Sequence, residues 1–382
     1  MRLAALSLAA ALAAATPVGA QQQAAGFTTP AQHVTILDAA SGALLYCDDC
    51  TTPMPPASMS KIMTVLMVAE AIEAGRINLN TRYRVSENAW RHGAMSDGSH
   101  MFLELNSEVS VGDLLRGAIV VSANDACIVL AEGMFGSEEA FVAEMNRRAQ
   151  ALGLTTARFR NSTGLPDPDH LISSRDLAEL TRYLIATYPQ IYRLYAEREF
   201  TFNRRTQPNR NPLLGAFDGA DGVKTGHTSV SGYGLVGSAV LNGQRRIIVF
   251  NGLSTMAERR SEGVRIMRAA FHDFSIATVA RAGEQVGEAQ VRLGSRGAVP
   301  LIAREDIVIG GARGVQSNLT AHIVYNGPLR PPLREGDVVA HLVVEGPGFE
   351  TQRFELTTGR NIGRANWFSR AFEGLRLTLF GS

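Results

Sequence analysis

The chain has 382 residues, enough for two domains or one large one, and with 45% hydrophobic and 19% charged residues it can build a sizeable core and is not compositionally disordered. Lys and Arg number 37 against 36 Asp and Glu, and this net charge of +1 leaves no electrostatic footprint for a dedicated nucleic-acid binder. Only one apolar run approaches spanning length, and it sits at the extreme N-terminus, which excludes a polytopic membrane protein.

That run, residues 1–20, has the parts of an export signal in order. Arg2 supplies the positive start, Leu3 to Ala15 the apolar stretch, and Val18-Gly19-Ala20 the small-residue cleavage site, so the mature chain is expected to begin near Gln21. Val34 to Tyr46 reads as a β-hairpin with Ser41-Gly42 at its turn. Cys47 and Cys50 follow in C-x-x-C spacing; with Cys127 they make three cysteines. One C-x-x-C supplies only two ligands and no partner pair follows, so a metal centre is not supported; a local disulfide and two spare thiols both remain open. After Pro53, Pro55 and Pro56 the chain turns helical, with Ile62, Leu66 and Ala69 at helical spacing.

Helical patterns return at Val111 to Met134, Glu138 to Leu152 and Arg175 to Thr187, with a polar loop from Phe159 to Ser174. Strand-like runs follow at Gly232 to Leu241 and Arg246 to Leu253, and Glu262 to Phe274 reads as helix. Beyond Ile276, short β-type runs at Ala289 to Leu293, Asp306 to Ile309, Thr320 to Tyr325 and Val338 to Val344 alternate with Gly and Pro turns, the texture of a small all-β domain. Residues 361–382 carry Phe368, Ala371, Phe372, Leu375 and Leu379 on one helical stripe, with Trp367, Arg364, Arg370 and Arg376 beside it. This suits an interfacial helix on an anionic bilayer, and also a helix docked on its own domain; three Arg and a Glu argue against spanning.

Three short motifs carry chemistry. Ser58-Met59-Ser60-Lys61 places a hydroxyl and an amine at i and i+3, on one helical face. A serine needs a base to take its proton, and a lysine serves only if its pKa falls. Ser122-Ala123-Asn124 puts a hydroxyl and an amide two apart between helices, able to point into one cleft. Lys224-Thr225-Gly226, followed by His227, offers a cation and a hydroxyl beside a glycine, where a substrate chain with its carboxylate can approach an edge strand.

Together these motifs form the signature of penicillin-binding proteins and class A β-lactamases. The chain resembles the low-molecular-mass penicillin-binding proteins that are D-alanyl-D-alanine carboxypeptidases, serine peptidase family S11. The likeness extends through Ser122-Ala123-Asn124-Asp125-Ala126-Cys127, Ser173-Ser174-Arg175-Asp176, Glu199-Phe200-Thr201-Phe202-Asn203, Asn209-Arg210-Asn211 and Lys224-Thr225-Gly226-His227-Thr228. It implies an α+β fold. A β-lactamase/transpeptidase-like catalytic domain over 28–275 has an antiparallel sheet covered by helices, with a helical subregion between the first and third motifs. A small β-sandwich domain over 276–358 and a C-terminal amphipathic helix over 361–382 follow. No cofactor is implied.

The resemblance also implies roles. Ser58 attacks the carbonyl of the D-Ala-D-Ala bond, Lys61 activates it, and Ser122 relays a proton to the leaving amine. Asn124 holds the substrate amide. Lys224 keeps the field positive, biases Lys61 towards neutral and, with Thr225, binds the terminal carboxylate; Gly226 lies beside them. Backbone N–H groups of Ser58 and His227 hold the oxyanion, His227's ring is a local organiser, and Arg210 and Arg259 are further candidates for carboxylate contact. The implied partners are peptidoglycan stem peptides, β-lactams as covalent inhibitors, and the inner-membrane surface through the tail, with a periplasmic location. The Phe159–Ser174 loop carries Asp167 and Asp169 but no Glu, and Thr163 stands where some relatives have a His, so efficient β-lactam hydrolysis is not expected and the deacylation base is unassigned. An endopeptidase, a β-lactamase and a silent murein-binding scaffold are the alternatives.

Overall fold

The computed structural model describes residues 27–94, 98–314, 318–346 and 349–365. The expected export signal at 1–20 lies outside the described residues, as does all of the expected tail helix beyond residue 365. Residues 361–365, where that helix was expected to begin, are bridged rather than helical, with Ile362 paired to Leu333 and Arg364 to Gly294.

Five strands make the central antiparallel sheet: β1 (Gln32–Asp38), β2 (Leu44–Asp48), β3 (Ala220–Thr228), β4 (Gly232–Leu241) and β5 (Gln244–Leu253), in the order β2-β1-β5-β4-β3. The hairpin expected at Val34–Tyr46 is β1–β2; the Asp38 carboxylate closes its turn by accepting from the Ser41 N–H at 2.8 Å. An Asn242–Gly243 turn, the strongest short hairpin signal, joins β4 to β5. Successive side chains of a strand point to opposite faces. Ile247 and Val249 therefore join one core with Leu37, Val223 and Val236, while Ile248 and Phe250 join another with Ile36 and Leu235. A strand buried on both faces reads as a continuous apolar run, as Ile247-Ile248-Val249-Phe250 does.

The first core holds α1 (Lys61–Glu73), α2 (Asn124–Phe135), α3 (Glu138–Ala151) and α4 (Ser174–Thr187). The second is closed by α5 (Met256–His272), whose Ile266, Met267 and Ala270 are buried. Helix α1 differs from its expected one-sided pattern: Ile62, Met63, Val65, Leu66 and Val68 are all fully buried, so it is surrounded by protein. Helix α5 begins at Met256 rather than Glu262, because Thr255 and Glu258 form a reciprocal capping box. The single helical pattern expected over Val111–Met134 is broken into a helix at Val111–Arg116, a π-helical turn at Gly117–Val121 and α2.

A second antiparallel sheet follows, built from β7 (Gln285–Gln290), β8 (Ala298–Ala303), β10 (Thr320–Val324), β11 (Val338–Gly346) and β12 (Phe349–Thr358), ordered β7-β8-β12-β11-β10. Of the strand expected at Ala289–Leu293 only Ala289 and Gln290 are strand, the end of β7; Val291 makes an isolated bridge to Leu329. A separate pair, β6 (Phe274–Ala280) with β9 (Ile307–Ala312), lies against β2. Val299, Leu301, Ile307, Leu342, Val344 and Leu356 form the core of this all-β part.

Candidate active site

Pro55 and Pro56 end the preceding extended segment, and the chain coils through one tight helical turn, Ala57–Ser60, directly into α1. Ser58 sits half-buried on that turn. Lys61 is carried by the first residue of a helix that is apolar all round, and so enters the core with 0% exposure. Its amine has three partners: the Ser58 hydroxyl at 2.8 Å, Asn124 Oδ1 at 2.8 Å and the Thr163 carbonyl oxygen. Burial pulls the Lys61 pKa down from 10.5 to about 8, against the opposing pull of Cys127 and Asp125. Loss of water solvation disfavours the charged amine, so about one Lys61 in ten is neutral at pH 7. Two of the three partners, the amide oxygen and the carbonyl, can only accept. They take the two N–H bonds of a neutral amine and leave its lone pair for the Ser58 proton.

The second motif owes its shape to the break in the helix. Ser122 adopts a left-handed conformation, φ 66° and ψ 30°, after the π-helical turn, and the chain re-enters helix at Asn124. The left-handed region costs a non-glycine residue on the order of 1–2 kcal/mol. That turn sends the Ser122 hydroxyl towards Lys224 and Asn124 Oδ1 towards Lys61. Asp125 anchors the junction: its buried carboxylate accepts from the N–H groups of Met101 and Leu103, while the Asn124 N–H donates to the Ser99 carbonyl at 2.8 Å.

The third motif lies on β3, the edge of the sheet, in register with β4 at Lys224↔Val236 and His227↔Tyr233. Lys224 is buried and donates to the Ser122 hydroxyl at 2.8 Å and to the Thr225 carbonyl at 3.0 Å. Burial holds its pKa well below the ordinary lysine value, with Lys61, Arg259 and Arg210 adding repulsion. Burial is the main cause for both lysines, and their mutual repulsion favours loss of one of the two protons. Gly226 has a packing reason as well: a Cβ there would stand 2.7 Å from the Pro56 carbonyl, so the glycine lets β3 close on the Ser58 turn. The exposed His227 ring stacks on Tyr233, with centroids 3.9 Å apart.

Ser58, Ser122, Asn124, Thr225, Gly226 and His227 face one cleft of about 280 Å³, which Arg210 and Arg259 also line. The ten residues singled out from the sequence are thus brought together, with Lys61 and Lys224 beneath the floor. Arg210 is held through its backbone N–H on the Val120 carbonyl. Arg259, only 6% exposed, reaches the Gly226 carbonyl at 3.4 Å and lies 5.4 Å over the Tyr233 ring; its Nε has no partner among the described residues. No Asp or Glu is among the described residues lining the cleft. Asp169 instead pairs with Arg160 at the surface.

Sequence reasoning missed the Thr163 carbonyl. The Phe159–Ser174 segment is not a loose polar loop: Asn161 Oδ1 gathers the N–H groups of Thr163, Gly164 and Leu165, and the segment pairs through Ile172 with Met54. Gly164, at φ +78°, passes so near the Ser58 turn that a Cβ would fall 2.0 Å from the Ala57 carbonyl oxygen. An Asn three residues before a Gly was the available signal. Cys127 is fully buried, and burial pushes its thiol up to about 11, so it packs as a small apolar group. Cys47 and Cys50 are joined in a disulfide.

Residues 18–254 match the family described as D-alanyl-D-alanine carboxypeptidase, peptidase S11, and residues 274–364 match the C-terminal domain of penicillin-binding protein 5. The chain is 36% identical over 372 residues to the D-alanyl-D-alanine carboxypeptidase DacA of Haemophilus influenzae, spanning 95% of this chain and 94% of that one. Its structure is similar to penicillin-binding protein 5 from Haemophilus influenzae, with a TM-score of 0.75 at 36% identity, covering 89% of this chain and 100% of the other. It is also similar to penicillin-binding protein D2 from Listeria monocytogenes in the ampicillin-bound form, with a TM-score of 0.58 at 27% identity over 64% of this chain and 99% of that one. A serine and a desolvated lysine at hydrogen-bond distance, on a sheet flanked by helices and followed by this all-β domain, place the chain in the S11 family of D-alanyl-D-alanine carboxypeptidases.

Proposed function

We propose that the protein removes the terminal D-alanine from peptidoglycan pentapeptide stems through an acyl-enzyme on Ser58. The observation that carries this reading is the Lys61 amine, buried 2.8 Å from the Ser58 hydroxyl and held by two acceptor-only groups, so that in its neutral form the lone pair is left for the Ser58 proton. Ser58 Oγ forms a bond to the carbonyl carbon of the scissile amide while its proton passes to Lys61. As the C–N bond breaks, the proton held on Lys61 passes by way of Ser122, itself held by Lys224, to the leaving amine, and Lys61 is neutral again. The substrate carboxylate lies at Thr225 with Lys224, Arg259 and Arg210 behind it; the open Nε of Arg259 supports that placement. Backbone N–H groups of Ser58 and His227 receive the oxyanion. Water then attacks the ester, its proton passing to Lys61 and from there to Ser58 Oγ as the Ser58 C–O bond breaks, which restores the free serine and the neutral lysine.

The absence of a carboxylate among the described cleft-lining residues favours slow release of a penicilloyl group over β-lactamase turnover. The N-terminal signal pattern supports export to the periplasm, and the amphipathic pattern of 361–382 supports attachment to the inner-membrane surface, with the all-β domain as a stalk. The test is mass spectrometry of the mature protein incubated with penicillin over time, beside Ser58→Ala. A persistent penicilloyl adduct on Ser58, absent from the variant, together with D-alanine release from a pentapeptide, is the expected result. Steady penicilloate production without a lasting adduct would show a β-lactamase instead.

A further inference from the structure

The all-β domain holds a cleft that the hydrolytic reaction does not use. It measures about 310 Å³ and is lined by Arg292, Leu293, Arg330, Pro331 and Arg364. Three arginines thus line one concavity, with no carboxylate among the described residues lining it. None of the three side chains has a hydrogen bond or ion pair among the described residues, whereas Arg304 in the same domain pairs with Glu355 at 2.6 Å.

The backbone fixes the arrangement. The Arg292 N–H donates to the Leu329 carbonyl at 2.9 Å, and the Leu329 N–H to the Gln290 carbonyl at 2.8 Å, which ties the Arg292 segment to the Arg330 segment. The Ser295 N–H donates to Gly363 at 2.8 Å and the Ala365 N–H to Leu293 at 2.9 Å, which ties in Arg364. Gathering three like charges is unfavourable without an anion between them, and guanidinium forks match phosphate oxygens two at a time. Arg364 also stands two residues before Asn366, where the stretch containing Trp367, Phe368, Arg370 and Phe372 begins.

We infer that Arg292, Arg330 and Arg364 form a phosphate-binding site, occupied by the headgroup phosphate of an anionic phospholipid at the base of the all-β domain. The lipid source rests on the reading of 361–382 as a surface-lying segment; the phosphate chemistry does not. Vesicles of phosphatidylglycerol with phosphatidylethanolamine, co-sedimented with the full mature chain, provide the first measurement. With each basic residue at an anionic surface contributing roughly fivefold, R292Q/R330Q/R364Q is expected to bind about a hundredfold more weakly. R292K/R330K/R364K keeps the charge and recovers that part of the loss, but without the planar fork it is expected to remain about tenfold weaker than the wild type. Full recovery by the lysine variant overturns the site, and so does an equal loss in R193Q/R268Q/R281Q, which removes three positive charges elsewhere.

Calorimetric titration with inorganic phosphate provides the second measurement. Saturable binding lost in both site variants, with vesicle binding unchanged, overturns the lipid source in favour of a free phosphate anion. Vesicle binding absent from the wild-type chain, with phosphate binding intact, refutes the reading of the tail and leaves the pocket standing. No saturable phosphate binding and no effect on vesicles overturn the proposal altogether. The melting temperature and peptide hydrolysis of each variant verify that the fold is intact.

Discussion

Replacing Asn124 by Asp turns the amide whose Oδ1 lies 2.8 Å from the Lys61 amine into a carboxylate and changes almost no volume. In the wild-type protein, burial has already brought Lys61 from 10.5 to about 8, so about a tenth of it is neutral at pH 7 instead of roughly one part in three thousand. A carboxylate at that distance favours the charged amine and raises its pKa by about 1–3 units. The neutral fraction at pH 7, and with it the rate of Ser58 acylation, is expected to fall by about tenfold to a thousandfold. Because Asn124 is also placed to hold the substrate amide, the rate alone does not isolate the effect. The position of the pH inflection does. Stopped-flow acylation by a chromogenic β-lactam, measured across pH, is expected to show an inflection near 8 in the wild-type protein and about 9 or higher in the variant. An unmoved inflection, whatever the rate, would refute Lys61 as the base.

The same lysine makes a stability prediction. Its folded pKa lies below its unfolded one, so the unfolded chain holds the extra proton between about pH 8 and 10.5, and the group's contribution to stability rises with pH through that window. The stability difference between the wild type and Lys61→Met, taken from urea midpoints, should move by about 3 kcal/mol in favour of the wild type; a pH-independent difference would contradict the burial account. Gly164→Ala puts a Cβ 2.0 Å from the Ala57 carbonyl at a φ of +78° and should displace both the Ser58 turn and the Thr163 carbonyl. A loss of about 1–3 kcal/mol, with acylation at least about tenfold slower, is expected; wild-type acylation would show that the loop does not position Lys61. Asp38→Asn leaves Arg246 charged and nearly inaccessible, since both partners are at most 3% exposed. It should cost about 3–5 kcal/mol by denaturant unfolding while acylation at low temperature stays near wild type, and a cost below about 1 kcal/mol would mean that Arg246 is already satisfied elsewhere.

What could be read before folding was whatever is local in the chain. The hairpin around Ser41-Gly42, the strands of Gly232–Leu241 and Arg246–Leu253, and the i, i+3 relation of Ser58 and Lys61 depend on neighbours within a few residues, and they stand in the structure. The motif order also carried the family resemblance, and with it the candidates for nucleophile, base and carboxylate anchor. Even some of the misread boundaries were local: Thr255 and Glu258 show where α5 starts.

The break at Ser122 was harder, since Val111 to Met134 keeps an apolar helical pattern straight through the π-helical turn. Whether Lys61 is a solvated helix-start lysine or a base depends on α1 being enclosed on every side, and periodicity cannot report that. Its third partner, the Thr163 carbonyl, is 102 residues away, as Ser122 is from Lys224. A backbone carbonyl has no side-chain identity to mark it. The sequence by itself determined which groups the proposed reaction draws on and most of the elements that carry them; the tertiary structure alone decided the protonation of Lys61, because desolvation and pairing at that range exist only once the chain has closed around it.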